Sequence, residues 1–291
     1  MKRILSGFIY VTAKIIGRKN LEKILIYSAK AIKVNLHIHG LVQIGAVNGF
    51  ISEVNGEHFF LEEILPELLD KKDNNTFFDV GANVGNYALS LKKYFQDAVI
   101  YSFEPVKQTF DALVRNTNNT DIKLFNIGFG STTGSGELYN TVNGDNSEIA
   151  SIYKDAFDEI HQIEGDTVII PFEIDTLDNF CEKNRIINID FLKIDVEGHE
   201  FPVLEGARKT ISQNHIKIIQ FEFNTHNAYS RFFLRDFYKI LPDFNFYRLN
   251  KNNIVLLGDY NPVNEIFTAQ NLLAIHKTIS PKINSKHILS L

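Results

Sequence analysis

The sequence predicts an α/β fold, a mostly parallel sheet covered by helices on both faces. From about residue 76 onward, short β-rich runs alternate with helical stretches, the order expected of parallel strands joined by crossover helices. The first of these runs breaks at a glycine-rich turn that opens a helix, where backbone amides are free to meet a ligand. The length also fits: 291 residues, 44% apolar and 22% charged, suit one large domain with a small appendage. This composition excludes a disordered chain, a collagen-like repeat and a small disulfide scaffold. The single cysteine, Cys181, has no partner for an internal disulfide and is expected as a buried thiol.

The elements follow in order. Thr76 to Val80 is the first strand, and Asn86 to Gln96 reads as a helix with Leu89, Leu91, Tyr94 and Phe95 on its apolar side. Ala98 to Phe103 is the second strand. It ends at Glu104-Pro105, where proline, lacking an N–H, suits a strand exit, and Lys107 to Asn118 forms the next helix. Ile122 to Ile127 is a third strand closed by Gly128. Between Gly130 and Pro171 the texture changes. Gly134-Ser135-Gly136, Asn143-Gly144-Asp145-Asn146 and Gly165-Asp166 are turn signals around weak strands and one short helix, so residues 130–171 read as an insertion or lid. Alternation resumes with a helix near Thr176 to Lys183, a strand Phe191 to Ile194, a helix from Glu200 to about Ser212 and a strand Ile216 to Phe223. A helix from Arg231 to Leu241 and strands near Phe246–Leu249, Ile254–Leu257 and Asn271–Ile275 complete the body.

Residues 1–60 are expected as a small helical and hairpin extension before a body spanning 61–291. Residues 1–34 carry eight basic side chains against the lone acid Glu22, a charge of +7, which leaves −12 for the rest of a chain whose total is −5. An acidic body of this kind gives no general attraction to nucleic acid. Ile4, Leu5, Phe8, Ile9, Val11, Ile15 and Ile16 recur at three- and four-residue spacing, which suits an amphipathic helix better than a signal peptide, and Lys14 interrupts the run. The expected location is cytoplasmic. The basic helix either docks on an anionic membrane surface or, the plainer and preferred alternative, packs on the body with its lysines in water. In residues 35–60, His37 and His39 sit among glycines and β-formers. A hairpin is expected there, with the histidines in structural roles.

Asp79-Val80-Gly81-Ala82-Asn83-Val84-Gly85 forms the strand-to-helix junction, and Glu104 closes the next strand, where a carboxylate can accept hydrogen bonds from both hydroxyls of a ribose. Two cofactor classes compete for such a loop. A nicotinamide dinucleotide prefers closely spaced glycines that admit a pyrophosphate, and an NAD-dependent oxidoreductase is the alternative reading. Here Asn83 and Val84 stand where a phosphate loop favours glycine, and Asp79 adds negative charge. S-adenosylmethionine, with its cationic sulfonium, is favoured by the same charge.

Phe77–Gly85, Tyr101-Ser102-Phe103-Glu104-Pro105, Phe191-Leu192-Lys193-Ile194-Asp195-Val196-Glu197-Gly198-His199-Glu200 and Leu204-Glu205-Gly206-Ala207, in this order and spacing, resemble the FkbM-type methyltransferases. The likeness spans roughly residues 60–275. It implies a class I methyltransferase (Rossmann-like) fold, with a seven-stranded, mostly parallel sheet whose last strand is antiparallel, and S-adenosyl-L-methionine-dependent O-methylation. It places Asp79, Gly81, Asn83 and Gly85 around the methionine part of the cofactor, Glu104 on its ribose, and Asn126 and Ile127 beside the adenine. The acceptor it implies is a sugar, glycan precursor or other hydroxyl-bearing small molecule, of the kind used in polysaccharide biosynthesis at the cytoplasmic face of a bacterial membrane.

A sugar hydroxyl must shed its proton during attack, so a general base or a metal ion is expected beside the methyl group. Asp195, Glu197 and His199 lie together after the strand Phe191–Ile194, and His199 is the best base by its ordinary pKa. Lys193 is the expected partner of Asp195, and His226 is an alternative base. Asp195, Glu222 and Asn224 could instead hold Mg2+ through oxygen ligands. A non-catalytic binding module on the same fold is the remaining alternative.

Overall fold

The computed structural model describes residues 10–47, 55–69, 74–141, 151–161 and 167–290. The apolar positions before Tyr10, Gly49 and the turn signals at Asn143–Asn146 and Gly165-Asp166 lie outside them. The central sheet has nine strands. In chain order these are β1 (Thr76–Val80), β2 (Val99–Phe103), β3 (Lys123–Phe125), β7 (Phe191–Ile194), β8 (Ile218–Phe223), β9 (Phe244–Asn250), β10 (Asn253–Leu256), β11 (Gln270–His276) and β12 (Ile288–Ser290). A separate three-stranded sheet is formed by β4 (Gly128–Phe129), β5 (Gly134–Thr141) and β6 (Thr167–Asp175), ordered β4-β6-β5.

Across the large sheet the order is β12-β10-β9-β11-β8-β7-β1-β2-β3. Strands β3, β2, β1, β7 and β8 are mutually parallel, and β11 is antiparallel to both β8 and β9. Those seven strands are the set that the resemblance implies; β10, at the strand expected near Ile254–Leu257, lies outside it. Two more are added because β9 turns back into β10 as an antiparallel hairpin, and β12 then pairs with β10 in parallel. The strand count of seven is therefore corrected to nine.

Alternation on the strands divides the core into two layers. Phe78 and Val80 face one with Phe103, Leu192 and Ile194, while Phe77 faces the other with Phe191, Ile100 and Leu273. The first layer is strongly aromatic. Phe180, from the helix Leu177–Asn184, meets the rings of Phe78, Phe103, Phe125 and Phe129 edge-on. The helix begins where Thr176 Oγ1 accepts the Asn179 N–H at 3.1 Å. Cys181 on the same helix is buried, and burial pushes its thiol pKa up to about 12, so it is an inert core group.

Three sequence expectations are revised. Leu36–Gln43 is a helix, not part of a hairpin: Asn35 Oδ1 accepts the N–H groups of His37 and Ile38 at 3.0 and 3.2 Å, and this cap outweighs the local β-formers. Both histidines are exposed on it. The body begins before residue 61, because the helical run from Glu57 through a π turn at Phe60–Ile64 to Leu68 buries Phe60, Leu61, Ile64 and Leu65 in the second core layer. The helix expected from Glu200 to Ser212 is broken into Glu200–Glu205 and Arg208–Ser212 at Gly206, where a Cβ would stand 2.1 Å from the carbonyl oxygen of Gly130. That close approach joins the root of the small sheet to the main body.

Of the basic segment, residues 1–9 lie outside the described residues. Residues 10–16 are helical, Gly17 adopts φ 80°, and the helix Arg18–Ala31 follows with Ala29 as its one buried residue.

Candidate active site

The carboxyl ends of β1, β2, β7 and β8 gather the candidate residues at one edge of the sheet. After β1 the chain turns sharply: the N–H groups of Gly81 and Ala82 both donate to the Phe103 carbonyl, at 3.0 and 2.9 Å. Gly81 has φ 82°, and a Cβ there would lie 1.8 Å from the Asp195 carbonyl oxygen, so only glycine fits between the two loops. Asn83 and Gly85 also have positive φ, and Gly85 leads into the helix Asn86–Tyr94.

Glu104 is buried at the end of β2. Its Oε2 accepts the Asn83 N–H at 3.0 Å and its Oε1 the Val106 N–H at 2.8 Å. Burial raises its pKa to about 7 despite these two bonds. A carboxylate so placed joins the glycine loop to the second strand and keeps lone pairs for a diol. Asn126 Nδ2 donates to the carbonyls of Glu104 and Pro105, both at 2.9 Å, which fixes the neighbouring strand end, and Ile127 packs against the aromatic core layer.

Asp79 lies deeper than its place in the loop motif suggests. It is fully buried, its register partner on β7 is Lys193, and the next strand places Gln220 beside that lysine. Lys193 Nζ sits 2.9 Å from Asp195 Oδ2, 4.0 Å from Asp79 Oδ1 and 4.6 Å from the centre of the Tyr87 ring. Burial pulls the lysine pKa down, but Asp195, Asp79 and Glu57 outweigh it and hold the ammonium charged. Burial in turn raises Asp79 to about 6, even beside this cation. Gln220 closes the network: its Oε1 accepts from Tyr87 Oη at 2.7 Å, and its Nε2 donates to Glu57 Oε1 at 3.0 Å. Glu57, Tyr87 and Gln220 carry no local sequence signal, since only the sheet register and a contact 163 residues apart in the chain bring them together.

The loop after β7 is shaped by Glu197, with φ 51°, and Gly198, with φ 93°. Glu200 is wholly buried, and its Oε1 accepts the N–H groups of Val196 and Gly198, both at 3.1 Å. It therefore holds the loop open from within. Glu197 Oε2 lies 3.1 Å from His226 Nδ1, and Asn224 Nδ2 bridges Glu222 at 2.8 Å and Glu197 at 3.4 Å. Asn224 Oδ1 accepts the His226 N–H at 2.8 Å. Asp195, Glu197 and Glu222 each offer an oxygen, all within 4.8 Å of one another. Glu197 thus joins the expected acidic residues, and Asn224 stands behind them as a brace. Burial, followed by repulsion from Asp195, raises the pKa values of Glu197 and Glu222 well above the ordinary carboxyl range.

His199 is held apart from these groups. Its Nδ1 is 3.2 Å from the hydroxyl of Tyr153, beside the helix Lys154–His161 of the insertion, and burial lowers its pKa to about 4. Nothing in the sequence marks Tyr153 as its partner.

Residues 79–249 match the family described as the methyltransferase FkbM domain. The chain belongs to this family. The glycine loop, Glu104, Asp195–Glu200 and Glu222 all fall inside the match. The chain is 26% identical over 172 residues to the hexuronic acid methyltransferase AglP of Haloferax volcanii, an alignment covering 58% of this chain and 64% of that protein, less than two thirds of its length. It is 23% identical over 185 residues to the 2-O-methyltransferase NoeI of Sinorhizobium fredii, covering 61% and 74%. Among solved structures, the METTL16 methyltransferase domain superposes with a TM-score of 0.42 at 10% identity, covering 76% of this chain and 66% of that one.

Proposed function

We propose that this FkbM-family protein is an S-adenosylmethionine-dependent O-methyltransferase whose acceptor is a hydroxyl of a sugar or glycan precursor. The observation that carries the reading is the joining of the glycine turn to a buried carboxylate, Glu104, at the strand ends that also present Asp195, Glu197 and His226. The names of AglP and NoeI, a hexuronic acid methyltransferase and a 2-O-methyltransferase, support a sugar hydroxyl as the acceptor.

The residues present fit the cofactor. The turn Gly81–Gly85, fixed against Asp195 and Leu113, would lie along its methionine part, Glu104 would accept from its ribose hydroxyls, and Asn126 and Ile127 would border its adenine. When bound, it supplies an electrophilic methyl carbon on a positively charged sulfur. The chain's own residues then align the acceptor and remove its proton. In this reading the carboxylates of Asp195, Glu197 and Glu222 take that proton as the O–H and S–CH3 bonds break and the O–CH3 bond forms, and His226, with Nδ1 3.1 Å from Glu197, positions that carboxylate. His199, expected as the base, instead has its Nδ1 3.2 Å from the Tyr153 hydroxyl. Its place against Tyr153 suits positioning the insertion. A second reading has a divalent cation, Mg2+, on Asp195, Glu197 and Glu222, acidifying the hydroxyl directly; the three converging carboxylates favour it.

Calorimetry with S-adenosylhomocysteine, and transfer of labelled methyl to uronic acids and neutral sugars, test the proposal. Glu104→Gln is expected to weaken product binding, and His226→Ala to lower kcat by about 100-fold or more with binding intact. Failure of the intact protein to bind S-adenosylhomocysteine would refute the reading. Full activity after chelation excludes the cation, whereas activity restored by added Mg2+ supports it.

A further inference from the structure

Outside the catalytic body, residues 10–43 present an unusual combination of apolar exposure and positive charge. Ile15 is 77% exposed, Leu25 60%, Tyr27 70% and Ile32 71%, a set too apolar for an ordinary solvated helix. Along the helix Arg18–Ala31, the rotation of about 100° per residue puts Leu21, Ile24 and Leu25 on one face and Lys19, Lys23 and Lys30 on the opposite one. The following helix, Leu36–Gln43, adds exposed Leu36, Ile38 and Val42.

The charge identifies the occupant. Glu22 is the one acid between residues 10 and 43, and Arg18 already neutralises it at 2.9 Å. Lys19, Lys23, Lys30 and Lys33 make no ion pair among the described residues, although residues 35–291 carry −12. We propose that residues 10–43 are a peripheral docking surface for an anionic lipid bilayer. The apolar face enters the interface between headgroups and acyl chains, and the lysines on the opposite face extend their stems toward the anionic headgroups. A second copy meeting this surface with its own basic segment would bring like charge against like charge. The inference does not depend on the identity of the acceptor.

The test is flotation of the full-length protein with vesicles of phosphatidylcholine alone and of phosphatidylcholine mixed with phosphatidylglycerol, at low and high salt. Binding is expected to the anionic vesicles alone and to weaken as salt rises. The triple variant Lys19→Gln, Lys23→Gln, Lys30→Gln is expected to bind about 100-fold more weakly, since each lysine near such a surface contributes roughly a fivefold gain. The double variant Ile24→Ser, Leu25→Ser should also lose binding. All these side chains are exposed, so retained binding of S-adenosylhomocysteine serves as the check that each variant is folded. Equal binding to neutral vesicles, no binding to either, or a salt-insensitive dimer that persists with vesicles present would overturn the proposal.

Discussion

Glu200 offers a direct test of how the loop after β7 is built. The side chain is wholly buried, and burial raises its carboxyl from 4.5 to about 7 even though two backbone N–H groups donate to Oε1. Between those two values the folded chain retains a proton that the unfolded chain has already released, so stability falls as pH rises through this window. Once pH exceeds the folded pKa, the ionised group costs about 3 kcal/mol. Glu200→Gln keeps the acceptor oxygen that both N–H groups use and removes the charge. Its stability should match that of the unaltered protein near pH 4, where both side chains are neutral, and exceed it by about 3 kcal/mol near pH 8. Urea unfolding of both proteins across that range measures the gap. A gap that stays constant with pH would show that Glu200 is not a desolvated carboxylate and that the loop is held in some other way.

Two further perturbations follow from close packing and from a buried charge. Gly81→Ala should destabilise the protein by about 3 kcal/mol or more and abolish binding of S-adenosylhomocysteine, because the new methyl group meets the Asp195 carbonyl oxygen and φ is 82°. A variant of ordinary stability and affinity would contradict the described turn. Arg248 is fully buried on β9, with Nε donating to Gln270 and both terminal nitrogens lacking hydrogen-bond partners among the described residues. Arg248→Met is therefore expected to raise stability by about 1–3 kcal/mol in thermal or urea unfolding, and a loss would reveal a partner for the guanidinium.

The sequence was most informative where a strand stands between strong turn signals. Thr76–Val80 and Phe191–Ile194 have the expected ends because each is a short apolar run closed by a loop that begins with glycine or aspartate. The pairing of Lys193 with Asp195 was also legible, since residues two apart in a strand share a face. Longer-range geometry was not. Glu197 meets His226 because β7 and β8 are neighbours, and Tyr153 reaches His199 from an insertion whose fold depends on the β5–β6 pairing. Leu36–Gln43 reads as part of a hairpin because its helix depends on one side-chain cap at Asn35, a feature that the glycines and β-formers around it obscure.

The nine-stranded sheet ends in β3 on one side and β12 on the other, each only three residues long, with Lys123 on β3. So short a border offers little template for strand addition from another molecule, and the lysine on β3 reduces it further. In the small sheet, β5 has part of its outer rim occupied by the bridge from Tyr139 to Ser151. Amyloid-like stacking is thereby disfavoured at these borders, so a preparation that precipitates on concentration should be rescued by masking the apolar helices, for example with mild detergent, rather than by redesigning the strands.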